Sequence, residues 1–339
     1  MTRERPVRSL YFLLPGTDGK FACGGLFAEL KTMELARQVC DVAVVTYQQR
    51  EPNTLFLDDV LQQDTRNIIF VVSWGFHVPK LVKRLQGRAV VYHAHSAGYG
   101  FRLPSRVPIL TVSRNTMGYW GQLCPSSPIF WLPNQISPEF SDRDQPRDID
   151  VLVQVRKSSE YLLKQLVPAL QPHCNVVLLD QFVDDLAGLF NRSKVYLYDT
   201  AEYWAQYQVT EGFGLPPMEA MACGCQVFSS VNGALADYLD PGFNCEAIGT
   251  YSTAYDVARI LTAIQAPTAK PLPDDFFDPY REDKIVLRLR EILTAVNQFF
   301  DHVAQHPADV PQLSPQRIRK LRFQRFWQKV SQKLPIAQK

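Results

Sequence analysis

Along the chain, short β-branched or aromatic runs alternate with longer stretches of helical spacing, a pattern that predicts parallel α/β architecture. Residues 10–14, 42–47, 68–73, 89–93 and 109–112 read as strands of a first series. Between the first two, apolar residues recur at Leu26, Leu30, Met33, Leu35 and Ala36, predicting a helix over 26–39. A polar, proline-containing stretch, 137–150, then interrupts the pattern and reads as a linker. A second series follows, with strands at 151–155, 176–179, 195–198 and 226–229 and helices at 161–170, 185–191, 217–222 and 254–264. Residues 278–305 form a long helical pattern to which the sequence assigns no role.

Length agrees with two units, because 339 residues exceed what one hydrophobic core usually organises. The predicted division is an N-terminal Rossmann-like domain over 1–140, a linker over 141–150, a C-terminal Rossmann-like domain over 151–313 and a basic helix over 314–339. Hydrophobic residues make up 46% and charged residues 21%, with a net charge of +2, which excludes a disordered chain and gives no general affinity for nucleic acid. Seven scattered cysteines (Cys23, Cys40, Cys124, Cys174, Cys223, Cys225, Cys245) in mostly apolar context predict buried free thiols in a reducing compartment. The basic N-terminus precedes an apolar run that Pro15 and Gly16 end too early for a signal peptide, and no apolar run spans a membrane; a cytoplasmic protein is expected.

The densest chemistry lies in residues 211–227, EGFGLPPMEAMACGCQV. A glycine-rich turn precedes a short helix whose first turn suits Pro216 and Pro217. The free N–H groups of such a helix start bind anions, a diphosphate being the natural guest. Glu219, expected in the first turn, would accept hydrogen bonds from both hydroxyls of a ribose, and Glu211, ahead of the turn, would approach the sugar side of the same ligand. Taken alone, the segment is equally a helix start whose two glutamates favour its dipole. Asp148-Ile149-Asp150 has metal-binding D-x-D spacing but lies in the expected linker, so no metal is assigned to it. The segment 315–339 has eight basic residues and no acidic one, interleaved with Ile318, Leu321, Phe323, Phe326, Trp327, Val330 and Leu334. Such a helix suits either an anionic membrane surface or packing on the rest of the protein.

Residues 211–227 resemble the E-x7-E signature of the GT4 family of retaining glycosyltransferases, Gln226 standing where the family has proline. The resemblance continues in order. Leu14-Pro15 with Cys23-Gly24-Gly25 resembles the first-strand loop and glycine pair set against donor phosphates and acceptor. Residues 90–95, VVYHAH, resemble the strand ending in the histidine that approaches the donor sugar, which maps onto His95 rather than His93. Thr111-Val112-Ser113 and Leu132-Pro133-Asn134 match two further strand ends, with Gln135 replacing a glycine. Val155-Arg156-Lys157 stands where the family has Gly-Arg and a later lysine for the diphosphate, so Arg156 is taken as that cation, Lys157 as the second, and Lys164 as a surface residue. Gln181-Phe182-Val183 resembles the loop whose backbone meets the nucleobase, and Phe326-Trp327 with Val330 resembles the family's final helix, which packs back on the N-terminal domain.

The resemblance implies a GT-B fold, two doubly wound Rossmann-like domains facing across a cleft. It implies metal-independent, retaining transfer from a UDP- or GDP-sugar to a hydroxyl of a glycan, lipid or small molecule. The catalytic residues would be His95, Glu211 and Arg156. The donor would be held by Gly24, Gly25, Arg156, Lys157, Val183, Gly212, Phe213, Gly214, Leu215 and Glu219, with no cofactor beyond it. The competing readings are a catalytically decayed nucleotide-sugar-binding protein, motivated by Val155 and Gln135, and a nucleotide-sugar epimerase on the same fold. A nicotinamide-dependent dehydrogenase is disfavoured because no G-x-G-x-x-G follows the first strand.

Overall fold

A computed structural model describes residues 8–17, 19–21, 24–73, 75–265, 272–273 and 275–333. Cys23, the basic residues before Arg8 and the end of the tail from Leu334 lie outside the described residues. Two wholly parallel sheets form. The first contains β1 (Ser9–Leu14), β2 (Val42–Thr46), β3 (Leu55–Phe56), β4 (Ile68–Ser73), β5 (Ala89–Ala94), β6 (Ile109–Thr111) and β7 (Ile129–Trp131), in the order β3-β2-β1-β4-β5-β6-β7. β4 is buried at every position, which is why its sequence is an unbroken apolar run rather than an alternation. The connecting helices are α1 (Gly24–Arg37), α2 (Leu57–Val60), α3 (Val78–Arg84) and α4 (Arg114–Leu123).

The second sheet contains β8 (Ile149–Gln154), β9 (Val176–Leu179), β10 (Ser193–Tyr198), β11 (Gln226–Ser229) and β12 (Glu246–Ala247), in the order β12-β11-β10-β8-β9. β8 starts inside the expected linker, and both acids of the D-x-D triplet are ion-paired, Asp148 to Arg192 at 2.5 Å and Asp150 to Lys194 at 2.7 Å. The helix expected over 161–170 is a π turn, Leu162–Leu166, running into α5 (Val167–Leu170). Pro168 has no N–H to give back to the preceding turn, so the helical register shifts there. α6 (Leu186–Asn191), capped by Asp185 through Gly188 N at 2.7 Å, α7 (Ala201–Tyr207), α8 (Leu215–Ala222) and α9 (Thr253–Gln265) complete this half.

The chain then returns. In α10 (Glu282–Val303), Ile285, Val286, Leu289, Ile292, Leu293, Val296 and Phe300 are buried in one cluster with Leu10, Phe12, Met33, Ile69, Val71 and Val91 of the first half. Their i, i+3, i+4, i+7 spacing is a continuous stripe, and each such side chain contributes about 1.5–3 kcal/mol when buried. Arg8 fixes the far end through Asp301 at 2.5 Å and Asn297 Oδ1 at 2.9 Å. α10 thus crosses back and packs on the first sheet. α11 (Pro315–Lys333) is exposed along almost its whole length and adds no residue to the four core clusters. Its apolar residues Phe323, Phe326, Trp327 and Val330 make a shorter stripe than that of α10, ended on its N-terminal side by Arg319.

Candidate active site

Each sheet changes winding direction once, between β1 and β4 and between β8 and β10, and the crevice beyond the strand ends at such points is where α/β proteins place ligands. In the second sheet the loops leaving β8 and β10 are tied together: Ser159 Oγ donates to Asp199 Oδ2 at 2.5 Å and Ser159 N to Asp199 O at 2.9 Å. This loop carries Arg156, exposed, and Lys157, whose backbone is left-handed with φ 68°. A non-glycine residue there costs about 1–3 kcal/mol, so the loop over-determines it. Val155 keeps ordinary backbone geometry, so its replacement of a glycine strains nothing.

The ammonium of Lys157 lies 4.4 Å from the ring centre of Trp204 and 5.3 Å from that of Tyr203, both on α7. Burial, helped by Tyr207, pushes the Tyr203 phenol up, and Arg156 opposes that shift. Trp204 Nε1 donates to Glu211 Oε2 at 2.8 Å, joined by Tyr198 Oη at 2.9 Å and Thr200 Oγ1 at 3.4 Å. Lys157 and Glu211 are thus linked through Trp204, and Arg156 stands beside Lys157 in the same loop. The aromatic and hydroxyl partners of Glu211 were not anticipated from the sequence; Tyr198 to Thr200 leave a strand at the switch point, and α7 has two aromatics at its centre.

After Glu211 the chain makes the turn the glycines predict. A Cβ on Gly212 would stand 1.5 Å from the carbonyl oxygen of His95, so only glycine lets the two halves meet here. Gly214 has φ 82°, and a Cβ on it would meet Leu235 at 2.3 Å; its carbonyl accepts from Tyr238 Oη. Phe213 is buried against Tyr238 and Tyr280. α8 begins at Leu215, two residues earlier than expected, which corrects the position of Glu219 from the first turn to the second. Its carboxyl has no hydrogen-bond partner among the described residues, and burial, helped by Glu139, pushes its pKa up to about 8. Val183, half-buried, lies in the loop after β9 against the same core cluster.

Across the contact, the first sheet contributes a buried constellation the sequence did not disclose. Glu29 of α1 is fully buried; His93 Nδ1 lies 2.5 Å and His95 Nε2 2.7 Å from its Oε2, and Ser73 Oγ donates to Oε1. Burial alone would raise the Glu29 pKa, but the imidazoles, His93 foremost, hold it well below the usual carboxylate range. Burial, reinforced by His93, lowers the pKa of His95, while the hydrogen bond of its Nε2 to Glu29 opposes that shift. These separations are those of hydrogen bonds; a cation among the three ligand atoms would have to push them apart. Glu29 falls at helical spacing with Leu26 and Met33, and an acid on that buried stripe was the available signal. α1 opens with Gly24 and Gly25, and a Cβ at Gly24 would meet nothing within 4 Å, so the protein itself places no steric demand there.

The halves are joined further by Thr210 N to Ala97 O at 3.0 Å, by Ala97 N to Thr210 Oγ1 at 3.3 Å, and by Asp237, whose carboxylate accepts from Arg114 N and, at 3.1 Å, Asn115 N at the start of α4. The structure therefore brings His95 and Gly212 into contact and links Lys157 to Glu211 through Trp204, with Arg156 exposed beside Lys157. Gly24 and Gly25 open the helix that bears Glu29, the hydrogen-bond partner of His95.

Residues 156–269, about a third of the chain, match the protein family described as Glycosyl transferases group 1. No curated protein matches the sequence. Among solved structures, the sucrose-phosphate synthase of Thermosynechococcus elongatus is similar with TM-score 0.61 and 14% identity, over 86% of this chain and 99% of that one. A glycosyltransferase from Rickettsia africae gives 0.61 and 8% over the same shares, and the pneumococcal O-GlcNAc transferase GtfA, in complex with UDP and GlcNAc, gives 0.59 and 9%, again over 86% and 99%. At these identities the likeness establishes the fold, GT-B with two Rossmann-like sheets, and the domain match supports a glycosyltransferase.

Proposed function

We propose that the protein is a retaining, metal-independent glycosyltransferase that moves a sugar from a UDP- or GDP-sugar to a hydroxyl acceptor. The observation that carries this reading is the link, at one switch point, from Lys157 in the loop after β8 through Trp204 to Glu211 ahead of α8, with Arg156 adjacent to Lys157 in that loop, all within the matched domain. Arg156, Lys157 and the amides of Phe213, Gly214 and Leu215 take the diphosphate, whose charge grows as the bond breaks. Glu219, without a hydrogen-bond partner among the described residues, takes the ribose hydroxyls, and the loop at Val183 meets the base. Glu211, held by three donors, faces the donor sugar, His95 addresses the reacting face from the other half, and Gly24 with Gly25 leaves room for phosphates and acceptor.

The bond from the anomeric carbon to the diphosphate breaks, the acceptor oxygen bonds to that carbon from the same face, and the acceptor proton passes to the departing diphosphate. The contacts between the halves exclude water, as transfer rather than hydrolysis requires. The reading includes a cytoplasmic location and peripheral contact of the basic segment 315–339 with an anionic membrane, and no nucleic-acid partner.

The test is incubation of the purified protein with a panel of UDP- and GDP-sugars and hydroxyl acceptors, with NMR of the product. Acceptor-dependent release of nucleoside diphosphate that persists in a chelator, with the anomeric configuration kept, is the expected result. Inversion would remove the retaining assignment. Free sugar without acceptor dependence would indicate a hydrolase, and a changed sugar still on its nucleotide an epimerase.

A further inference from the structure

α11 has seven basic residues (Arg317, Arg319, Lys320, Arg322, Arg325, Lys329, Lys333) and no acidic one. Phe323, Phe326 and Trp327 are 62%, 59% and 54% exposed, and Trp327 lies 5.9 Å and 6.0 Å, centre to centre, from the two phenylalanines. With 3.6 residues per turn these three and Val330 fall within about 100° of the helix circumference, Lys320 on one edge and Arg322 and Lys329 on the other. Three large aromatics held together in water on a helix with no core contact are an unpartnered apolar face, and its cationic edges define what would cover it.

The helix is seated rather than dangling. Ser314 accepts from Arg317 N at 3.2 Å as its cap, and Arg102 Nη1 donates to Leu123 O at 2.7 Å and Leu313 O at 3.1 Å, fixing the helix start to the first half. Arg102 and Leu103 also line an adjoining groove of about 310 Å³ with Lys83, Gln86 and Arg106, and neither Lys83 nor Arg106 makes an ion pair among the described residues. Arg102 is thus shared by this cationic groove and the start of the helix that carries the aromatic face.

We infer that α11 and the Lys83–Arg102–Arg106 groove form a docking surface for an anionic phospholipid bilayer, the aromatics entering the headgroup boundary and the groove receiving a lipid phosphate. Aromatic side chains flanked by lysine and arginine match an interface that is apolar on one side and negatively charged on the other. A nucleic acid would use the charge but has no need of a clustered aromatic face on a helix. Arg102 and Arg106 lie in the segment that follows His95, which the proposed function sets at the reacting face, so the inference rests on that reading and deepens it by placing the acceptor at a membrane.

The experiment is co-sedimentation of the full chain, without sugar donor, with vesicles of phosphatidylcholine alone or with added phosphatidylglycerol, at low and high salt. Binding is expected only to the anionic vesicles and should weaken with salt. Each basic residue near such a surface strengthens binding about fivefold, so Arg319→Gln/Lys320→Gln/Arg322→Gln should weaken it about a hundredfold and Lys83→Gln/Arg106→Gln more than tenfold. Phe323→Ser/Phe326→Ser/Trp327→Ser should weaken it at least tenfold with an unchanged melting temperature, because α11 supports no core. Absence of sedimentation at low salt would overturn the inference. So would undiminished vesicle binding by the aromatic variant, preference for polyuridylate over vesicles, or a concentration-dependent dimer that the aromatic variant abolishes. Donor turnover is not read in this assay, so its outcome and that of the transferase test are separable.

Discussion

Replacing Glu29 probes the buried hinge of the site. Its carboxylate accepts from Ser73 and both imidazoles at zero exposure and remains ionised because the imidazoles outweigh the cost of burial. Glu29→Ala leaves three buried donors unmatched and a void, a loss of about 3–5 kcal/mol. Glu29→Gln keeps the shape: its amide oxygen serves the histidines and its nitrogen meets Ser73, whose hydroxyl turns to accept, so only charge assistance is lost, about 1–2 kcal/mol. For a unit of this size the alanine variant should melt roughly 10 °C lower. Because the folded pKa is depressed, the wild-type advantage over glutamine is present above the ordinary glutamate value of 4.5 and fades as pH falls below it toward the folded pKa. Thermal melts of the three proteins near neutrality and near pH 3 measure this directly. An alanine variant melting within a degree of wild type, or a wild-type-to-glutamine gap that widens in acid, would refute the reasoning.

Three more outcomes follow from the same geometry. Glu219 has a raised pKa, so the native state loses stability as pH climbs from 4.5 to about 8. Glu219→Gln should recover about 1–2 kcal/mol of an upper bound near 5, since the side chain keeps some solvent contact, visible as a higher melting temperature above pH 8 than wild type. Trp204→Phe removes one hydrogen bond to Glu211 and weakens the Lys157 seat, and steady-state kinetics should show kcat down at least tenfold with melting changed by a few degrees. Gly212→Ala must push the halves apart at His95, and should abolish transfer while small-angle scattering reports a more open molecule; a compact, active variant would contradict the contact.

Both sheets were legible because buried parallel strands are continuous apolar runs, and nine strands fall where the runs do. β3 and β12, two residues each, carry no periodicity, and β7 hides among prolines. The role of α10 was illegible because its stripe finds its partner only when the chain returns to β1, β4 and β5. Residues 211–227 announced a helix start and two glutamates, but the carboxylate's real neighbours, Tyr198, Thr200 and Trp204, come from separate elements. Lys157 could be named from sequence, whereas its left-handed backbone and its place over an indole could not. Glu29 was concealed by rule: an acid within an apolar stripe reads as a helix-edge residue until two histidines from the end of β5, some sixty residues on, arrive beside it.

The central claim, a nucleotide-sugar site built from Arg156, Lys157 and α8, is tested most directly by calorimetric titration of UDP- and GDP-sugars into the wild type and Glu219→Ala. The account predicts saturable binding of at least one nucleotide sugar near neutral pH, weakened tenfold or more in the variant through the lost ribose contacts. Wild-type protein that binds none of them, or a variant that binds with unchanged affinity, would contradict it.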